Sequence, residues 1–361
     1  MIKKNGLQKV LLGGRGRQRV LSVLVGSLAL LGSTVPAAYG EDRLRVVATV
    51  TDLGDIARQV AGDLVDITLI TKGPEDAHFS QPKPSFIKAL SQADAFLVVG
   101  MDLELGYAPV LLKSARNARV VPGSPGYIDA SVAVQALGIP DTVVDRSMGD
   151  VHAQGNPHYL LDPVNGLRVA GLIRERFAAL RPSQADAFRR GYDAFRRRIG
   201  VALFGEELAA KYDVEKLARL GEMGKLDAFL EAQGDAASLA GWLGRMHPFA
   251  GTKIVEDHRM WPYFARRFGL EIFADMEPIP GVPPTTRHLQ SLVEGMRAGA
   301  VGIILASPYY DPRHARFLAE ATGATVVRLA HQSGGVDGVE GYVAMVDYNV
   351  NQIATALAGR R

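Results

Sequence analysis

Short β-branched runs alternate with helical patterns twice along this chain, and that alternation leaves few folds open. In the first half, Arg45 to Val50, Val65 to Ile70, Ala95 to Val99 and Arg119 to Val121 read as strands. Helical patterns fall between them at Asp52 to Val60, Ser85 to Ala93 and Asp102 to Ala115. In the second half the strands are Thr252 to Val255, Glu271 to Ala274, Val301 to Leu305 and Thr325 to Leu329. Their helices are Met260 to Phe268, Thr285 to Ala298, Pro312 to Thr322 and a final one from about Glu340 to Ala358. Strands joined through helices run parallel and carry helices on both faces. Between the halves Asn165 to Leu180 and Gln184 to about Leu208 are helical, with Pro182 breaking the pattern and Ser183 placed to cap the second of these helices. The arginines of that second stretch (Arg189, Arg190 and Arg196 to Arg198) read as a solvated helix face. No Gly-Ser linker separates the halves. The expected fold is α/β: two lobes, 41–182 and 211–361, each a mostly parallel sheet flanked by helices, joined by one long rigid helix at 183–210.

Residues 1–40 stand apart from this pattern. Lys3, Lys4, Lys9, Arg15, Arg17 and Arg19 form a basic start without an acid, and an apolar run extends from Val20 to Val35. Ala38-Tyr39-Gly40 then places small residues at the −3 and −1 positions of a cleavage site. That order is a secretory signal peptide, and its apolar run is short for a membrane span. Its removal takes six of the 41 basic residues and leaves 35 against 38 acidic ones, so no basic footprint for nucleic acid remains. The sequence has no cysteine. An exported chain of this length must then fold on its core alone, without disulfides and without a thiol to carry a lipid. The expected product is a soluble, monomeric periplasmic protein, and any metal site in it must be built from N and O ligands.

The eight histidines do not scatter evenly. His78, His258 and His331 each lie past the carboxyl end of an expected strand, where open α/β sheets bind ligands. His158 lies in HAQGNPHYLLDP (His152 to Pro163), a loop stiffened by Gly155 and Pro157. Two lobes facing each other would bring these four to one cleft, and imidazole without thiolate suits zinc. Affinity should then fall as pH drops below about 6.5, because a ligating nitrogen must be deprotonated. His288 and His314 fall inside expected helices, His247 precedes Pro248, and Lys211 to His247 carries no functional signal.

Four segments, in order, resemble the periplasmic metal-binding proteins of zinc and manganese ABC importers. They are HFSQPKPS (His78 to Ser85), NPHYLLDP (Asn156 to Pro163), EDHRMWPYFARRFGLE (Glu256 to Glu271) and GYVAMVDYNVNQI (Gly341 to Ile353). The resemblance covers the mature chain. It implies metal held between two lobes, with His78 and His158 as ligands from the first and His258 from the second. Manganese members tend to carry a carboxylate at the third position, which tilts this chain toward Zn²⁺ with Mn²⁺ as the alternative. The fourth ligand in the family is usually an aspartate; here LAHQSGG puts His331 within about one residue of that place, with water or Asp311 as alternatives. His152 is either the remnant of the histidine-rich loop of zinc members or an accessory contact. Asp162, Glu256 and Asp257 lie near the ligands in sequence and could orient their rings. The partner implied is the membrane permease of an ABC importer.

Two other classes compete. A zinc hydrolase would need an open metal position and a general base, and the sequence has neither HExxH nor GxSxG. An open fourth site beside Glu277 or Asp311 would favour it. A site for an organic ligand such as a metal chelate would need an aromatic-rich cleft, against 7% aromatic residues.

Overall fold

The computed structural model describes residues 43–144, 149, 151–279 and 281–360. The expected signal peptide lies outside the described residues. Strands β1 (Leu44–Ala48), β2 (Val65–Leu69), β3 (Ala95–Val98) and β4 (Tyr127–Asp129) form one parallel sheet in the order β2-β1-β3-β4. Strands β5 (Lys253–Glu256), β6 (Glu271–Asp275), β7 (Ile303–Ala306) and β8 (Thr325–Arg328) form a second, in the order β6-β5-β7-β8. The same order is thus built twice, once in each alternating half of the sequence.

Helices α1 (Thr51–Ala61), α2 (Pro84–Gln92) and α3 (Ala108–Ala115) cover the first sheet. Helices α4 (Pro163–Leu180) and α5 (Ala185–Phe204) come after it. Asp162 caps α4 by accepting a bond from Val164 N at 2.9 Å, with Pro163 at the first helical position. Helix α5 buries Phe188, Phe195, Ile199 and Leu203 and leaves Arg189 and Arg197 exposed. It packs on α1 and α4 from the first half and, from the second, on α6 (Glu206–Lys211), α7 (Val214–Glu222) and α9 (Gly241–Met246). Gly205 ends it at φ +88, where a Cβ would lie 2.7 Å from the Ala240 methyl. Helices α7 and α9, with α8 (Leu226–Gln233) between them, account for the stretch the sequence left without a role. Helices α10 (Pro262–Phe268), α11 (Thr286–Ala298) and α12 (Pro312–Thr322) cover the second sheet, and α13 (Tyr342–Ala358) closes the chain. One buried cluster includes Val46 of β1, Phe177 of α4, Phe195 of α5 and Met345 of α13, so the two halves share a core.

Two local expectations in the first half are corrected. Arg119 to Val121 is not the fourth strand. The Asn117 amide donates to the Leu90 and Ala93 carbonyls at 2.8 Å each, and its oxygen accepts from Arg119 N at 3.1 Å. Those bonds curl Ala118–Val120 into a 3-10 turn, and β4 forms only after the Gly123-to-Gly126 turn. The helix expected from Asp102 starts at Ala108, because Met101 and Asp102 are left-handed, at φ 52 and 65. The buried Glu104 carboxylate holds the turn before it, accepting from Val99 N at 2.6 Å, Gly100 N at 3.1 Å and Thr49 Oγ1 at 2.7 Å. Burial pushes that carboxyl up to about 7.

Candidate metal centre

Three histidines converge from three loops. One ring nitrogen each of His78, His158 and His258 lies within 4.8 Å of the others. The rings meet edge-on, with centroids 5.4 Å apart for His78 and His158, 6.1 Å for His78 and His258, and 5.8 Å for His158 and His258. A fourth ring stands beside them: His152 Nε2 is 3.2 Å from His78 Nε2.

The backbone dictates these positions. His78 sits in the 3-10 turn Ala77–Phe79, capped by Asp76, in the loop after β2. His258 comes two residues after β5. Its neighbour Asp257 binds across to β7: Asp257 N donates to the Leu305 carbonyl, and Ser307 N donates to the Asp257 carboxylate. The β5/β7 crevice is the point where strand order reverses in that sheet, the usual ligand position of open α/β folds. The His158 loop is as stiff as its Gly-Asn-Pro suggested. Gly155 sits at φ +107, where a Cβ would come 2.9 Å from the Ala136 Cβ and 3.0 Å from the Leu137 carbonyl. Asn156 N donates to that carbonyl at 2.7 Å, its Oδ1 accepts from His158 N at 2.9 Å, and its amide donates to the Arg259 carbonyl across the cleft. Tyr263 Oη reinforces the crossing by donating to the Asn156 carbonyl at 3.0 Å.

Carboxylates select the tautomers. His78 Nδ1 donates to Asp76 Oδ1 at 2.7 Å, and His258 Nδ1 donates to Glu277 Oε2 at 3.1 Å. A neutral imidazole carries one N–H, so both rings present an Nε2 lone pair to the centre. Tyr310 stacks on His258 at 5.5 Å and Gly281 N holds Glu277 at 3.0 Å, which fixes that ring further. The sequence pointed instead to Asp162, Glu256 and Asp257 for this orienting role. Asp162 caps α4, Glu256 accepts from Trp261 N at 2.8 Å, and Asp257 accepts the backbone N of His258 at 2.9 Å. Asp76 was missed although its signal was present: an aspartate two residues before a loop histidine can cap the turn and reach the ring.

His331 does not join the triad. Its Nε2 donates to the Glu75 carbonyl at 3.2 Å, its ring packs edge-on against Tyr309 at 4.6 Å, and its Nδ1 is buried without a partner among the described residues. It lines the cavity that also touches His78 and His158. The physical reason is a clasp between the halves. The Gln332 amide donates to the carbonyls of Lys72, Gly73 and Glu75 at 2.9 to 3.1 Å, and Ser333 N donates to the buried Asp52 at 2.7 Å. A Cβ on Gly73 would lie 2.1 Å from the Gly334 backbone. Asp311 caps α12 and pairs with Arg313, which engages its carboxylate. His288 donates from Nε2 to the Asp275 carbonyl at 3.1 Å, and His247 lies 3.4 Å from Asp227, exposed.

Burial favours the neutral form of three imidazoles at and beside the site. Burial, then the proximity of the other imidazoles, pushes His158 well below the usual histidine range. The same causes bring His152 down to about 3, and burial brings His331 down to about 4. At Asp76 burial opposes ionisation, but the bond from His78 prevails and holds the carboxyl below its ordinary value. A cluster of converging ring nitrogens backed by carboxylates is chemistry for a cation.

Comparison with known proteins bears on this geometry. The family model described as zinc-uptake complex component A, periplasmic (ZnuA), matches residues 46–202 and 240–356. The manganese ABC transporter substrate-binding lipoprotein PsaA of Streptococcus pneumoniae is 24% identical over 349 residues, covering 94% of this chain and 99% of that protein. The metal ABC transporter substrate-binding lipoprotein FimA of Streptococcus parasanguinis matches with the same identity and coverage, 24%, 94% and 99%. A crystal structure of ZnuA superposes with a TM-score of 0.62 at 19% identity, over 87% of this chain and 99% of that one. The Mn-bound periplasmic metal binding protein of Candidatus Liberibacter asiaticus gives 0.61 at 18% identity, over 86% and 98%. At those identities the two structures speak to the fold alone. The family match spans most of the chain, and the chain therefore belongs to the ZnuA family, among the substrate-binding proteins of metal ABC transporters and not among enzymes.

Proposed function

We propose that this protein captures Zn²⁺ between its two sheets and delivers it to the membrane permease of an ABC importer from the periplasm, after cleavage of residues 1–40. The carrying observation is the convergence of His78, His158 and His258 within 4.8 Å while the nearby Asp76 and Glu277 are engaged on ring Nδ1 atoms. Manganese favours oxygen donors, and the two carboxylates beside the triad support the rings instead of facing the centre. Imidazole nitrogens at about 2.0–2.1 Å from a tetrahedral zinc lie about 3.3 Å apart, close to the 3.2 Å between His78 and His152. His152 is thus the fourth ligand in this reading, with His331 in the cavity wall. Residues 43–182 and 211–360 act as the two lobes, and α5 as the stiff connector. A closed four-nitrogen site releases metal slowly, so release requires the permease to disturb a ligand loop. Native mass spectrometry of the chain from Glu41 tests the reading: one Zn²⁺ is expected, retained against excess Mn²⁺. Preference for Mn²⁺ would refute the zinc assignment, and no bound metal would refute the function.

The buried rings also change the expected pH dependence. At pH 5.5 four solvent-exposed imidazoles would release about 3.6 protons on binding metal. His152 and His158 are already neutral at that pH, so the expected release is about two or fewer. Isothermal titration calorimetry in two buffers of different ionisation enthalpy reads this directly. Release near the full value would mean that the empty site is protonated.

A further inference from the structure

Arg267 of α10 is buried, with 4% of its side chain exposed. Its Nε donates to Asp162 Oδ1 at 2.8 Å and its Nη2 to Asp162 Oδ2 at 2.9 Å, a two-pronged pair. The same Nη2 donates to Glu222 Oε1 at 2.9 Å, and Glu222 accepts from Arg168 of α4 at 2.8 Å. Four charges therefore alternate in sign across the junction of the two halves. Such a buried pair contributes little net stability over a well-packed apolar one, because both ions lose water. Its planar fork does fix orientation.

The two ends of the pair are tied to two metal-site loops. Asp162 comes four residues after His158, through the fully buried turn Tyr159–Leu161, and Tyr342 Oη pins that turn by donating to the Leu160 carbonyl at 2.6 Å. Helix α10, which carries Arg267, begins four residues after His258. We infer that Arg267 is a positioning residue of the metal centre: its fork on Asp162 sets the placement of the His158 loop relative to the His258 loop, and Glu222 holds the guanidinium in that pose. The inference rests on the reading of those histidines as ligands. Glu222 lies in the stretch 203–239, outside the residues that the family model matches, and is the third member of the network. Glu222 also borders a cavity of about 350 Å³ beside Leu226, Leu243 and Met246, so a change there disturbs little packed core.

The test compares wild type, Arg267→Lys and Glu222→Gln in the full mature chain. Three quantities are read: the Zn²⁺ dissociation rate into excess chelator by stopped flow, the melting temperature of the metal-free protein, and the rise in melting temperature on adding Zn²⁺. Lysine keeps the charge and loses the fork. Arg267→Lys is expected to speed dissociation by about 10-fold or more, the range of lost outer partners of metal ligands, and to shrink the zinc-induced rise. Glu222→Gln is expected to speed it by about 3-fold, and it carries the test alone if Arg267→Lys fails to fold. A variant whose metal-free melting temperature falls while its dissociation rate and zinc-induced rise stay within about 2-fold of wild type would overturn the positioning role and leave the capture function standing. Wild type that holds no Zn²⁺ would overturn both.

Discussion

Replacing His158 by alanine is expected to weaken Zn²⁺ binding by at least about 100-fold, more than the loss of an outer partner of a ligand. The reason lies in how fully this ring is committed. It is held neutral by burial and flanked by His78 and His258 at 5.4 and 5.8 Å. Its loop has no freedom to bring a substitute: Gly155 fits only without a side chain, and Asn156 is bonded on both sides of the cleft. Water can fill the vacated position but supplies neither the donor strength nor the geometry of an imidazole. Competition with a chromophoric chelator measures the loss. The metal-free protein should keep its melting temperature within a few degrees, since removing one of several crowded rings relieves a desolvated cluster. A His158→Ala variant that binds Zn²⁺ like wild type would remove this residue from the ligand set. His331→Ala in the same assay should weaken binding far less, because its ring is held by the Glu75 carbonyl.

The second large effect is on stability. Trp261→Ala is expected to cost about 3–5 kcal/mol and to lower the melting temperature by on the order of 10 °C. The indole is fully buried at the start of α10, T-shaped on Phe264 at 5.9 Å and 90°. Its Nε1 has no hydrogen-bond partner among the described residues, so the loss is one of volume and contacts. Its backbone N holds Glu256, which burial and Asp275 push well above the usual carboxylate range. The other tryptophan makes the contrast. Trp242→Phe keeps most of the ring and loses one bond, 3.0 Å, to the half-exposed Asp347, a change of about 1 kcal/mol. Thermal unfolding followed by circular dichroism separates the two. Equal losses would mean that the pocket around Trp261 collapses on truncation.

The α/β architecture and three of the converging rings were legible from local pattern. Periodicity marks strands and helices because burial on one face imposes it, and a histidine just past a strand lies at the end of a sheet in any such fold. Asn156 and Gly155 were readable for the same reason: their constraint is local backbone geometry. The sequence failed where a distant partner decided the outcome. Arg119 to Val121 has strand composition, but the Asn117 amide reaching back to Leu90 and Ala93 bends it into a turn. Nor does the sequence show how His331 is held: its ring meets the Glu75 carbonyl while the neighbouring Gln332 clasps the Lys72–Glu75 loop. His152 was read as a loop remnant or an accessory contact, and only the fold shows its approach to His78 across 74 residues of chain.

Composition and strand-helix alternation by themselves determined the two parallel sheets, the absence of thiolate chemistry and the restriction of any metal site to N and O ligands. Only the tertiary structure decided which imidazoles meet, which carboxylates choose their tautomers, and that a buried arginine bridges two of the loops. Those are contacts between residues far apart in the chain, and side-chain hydrogen bonds of that kind leave no periodicity behind.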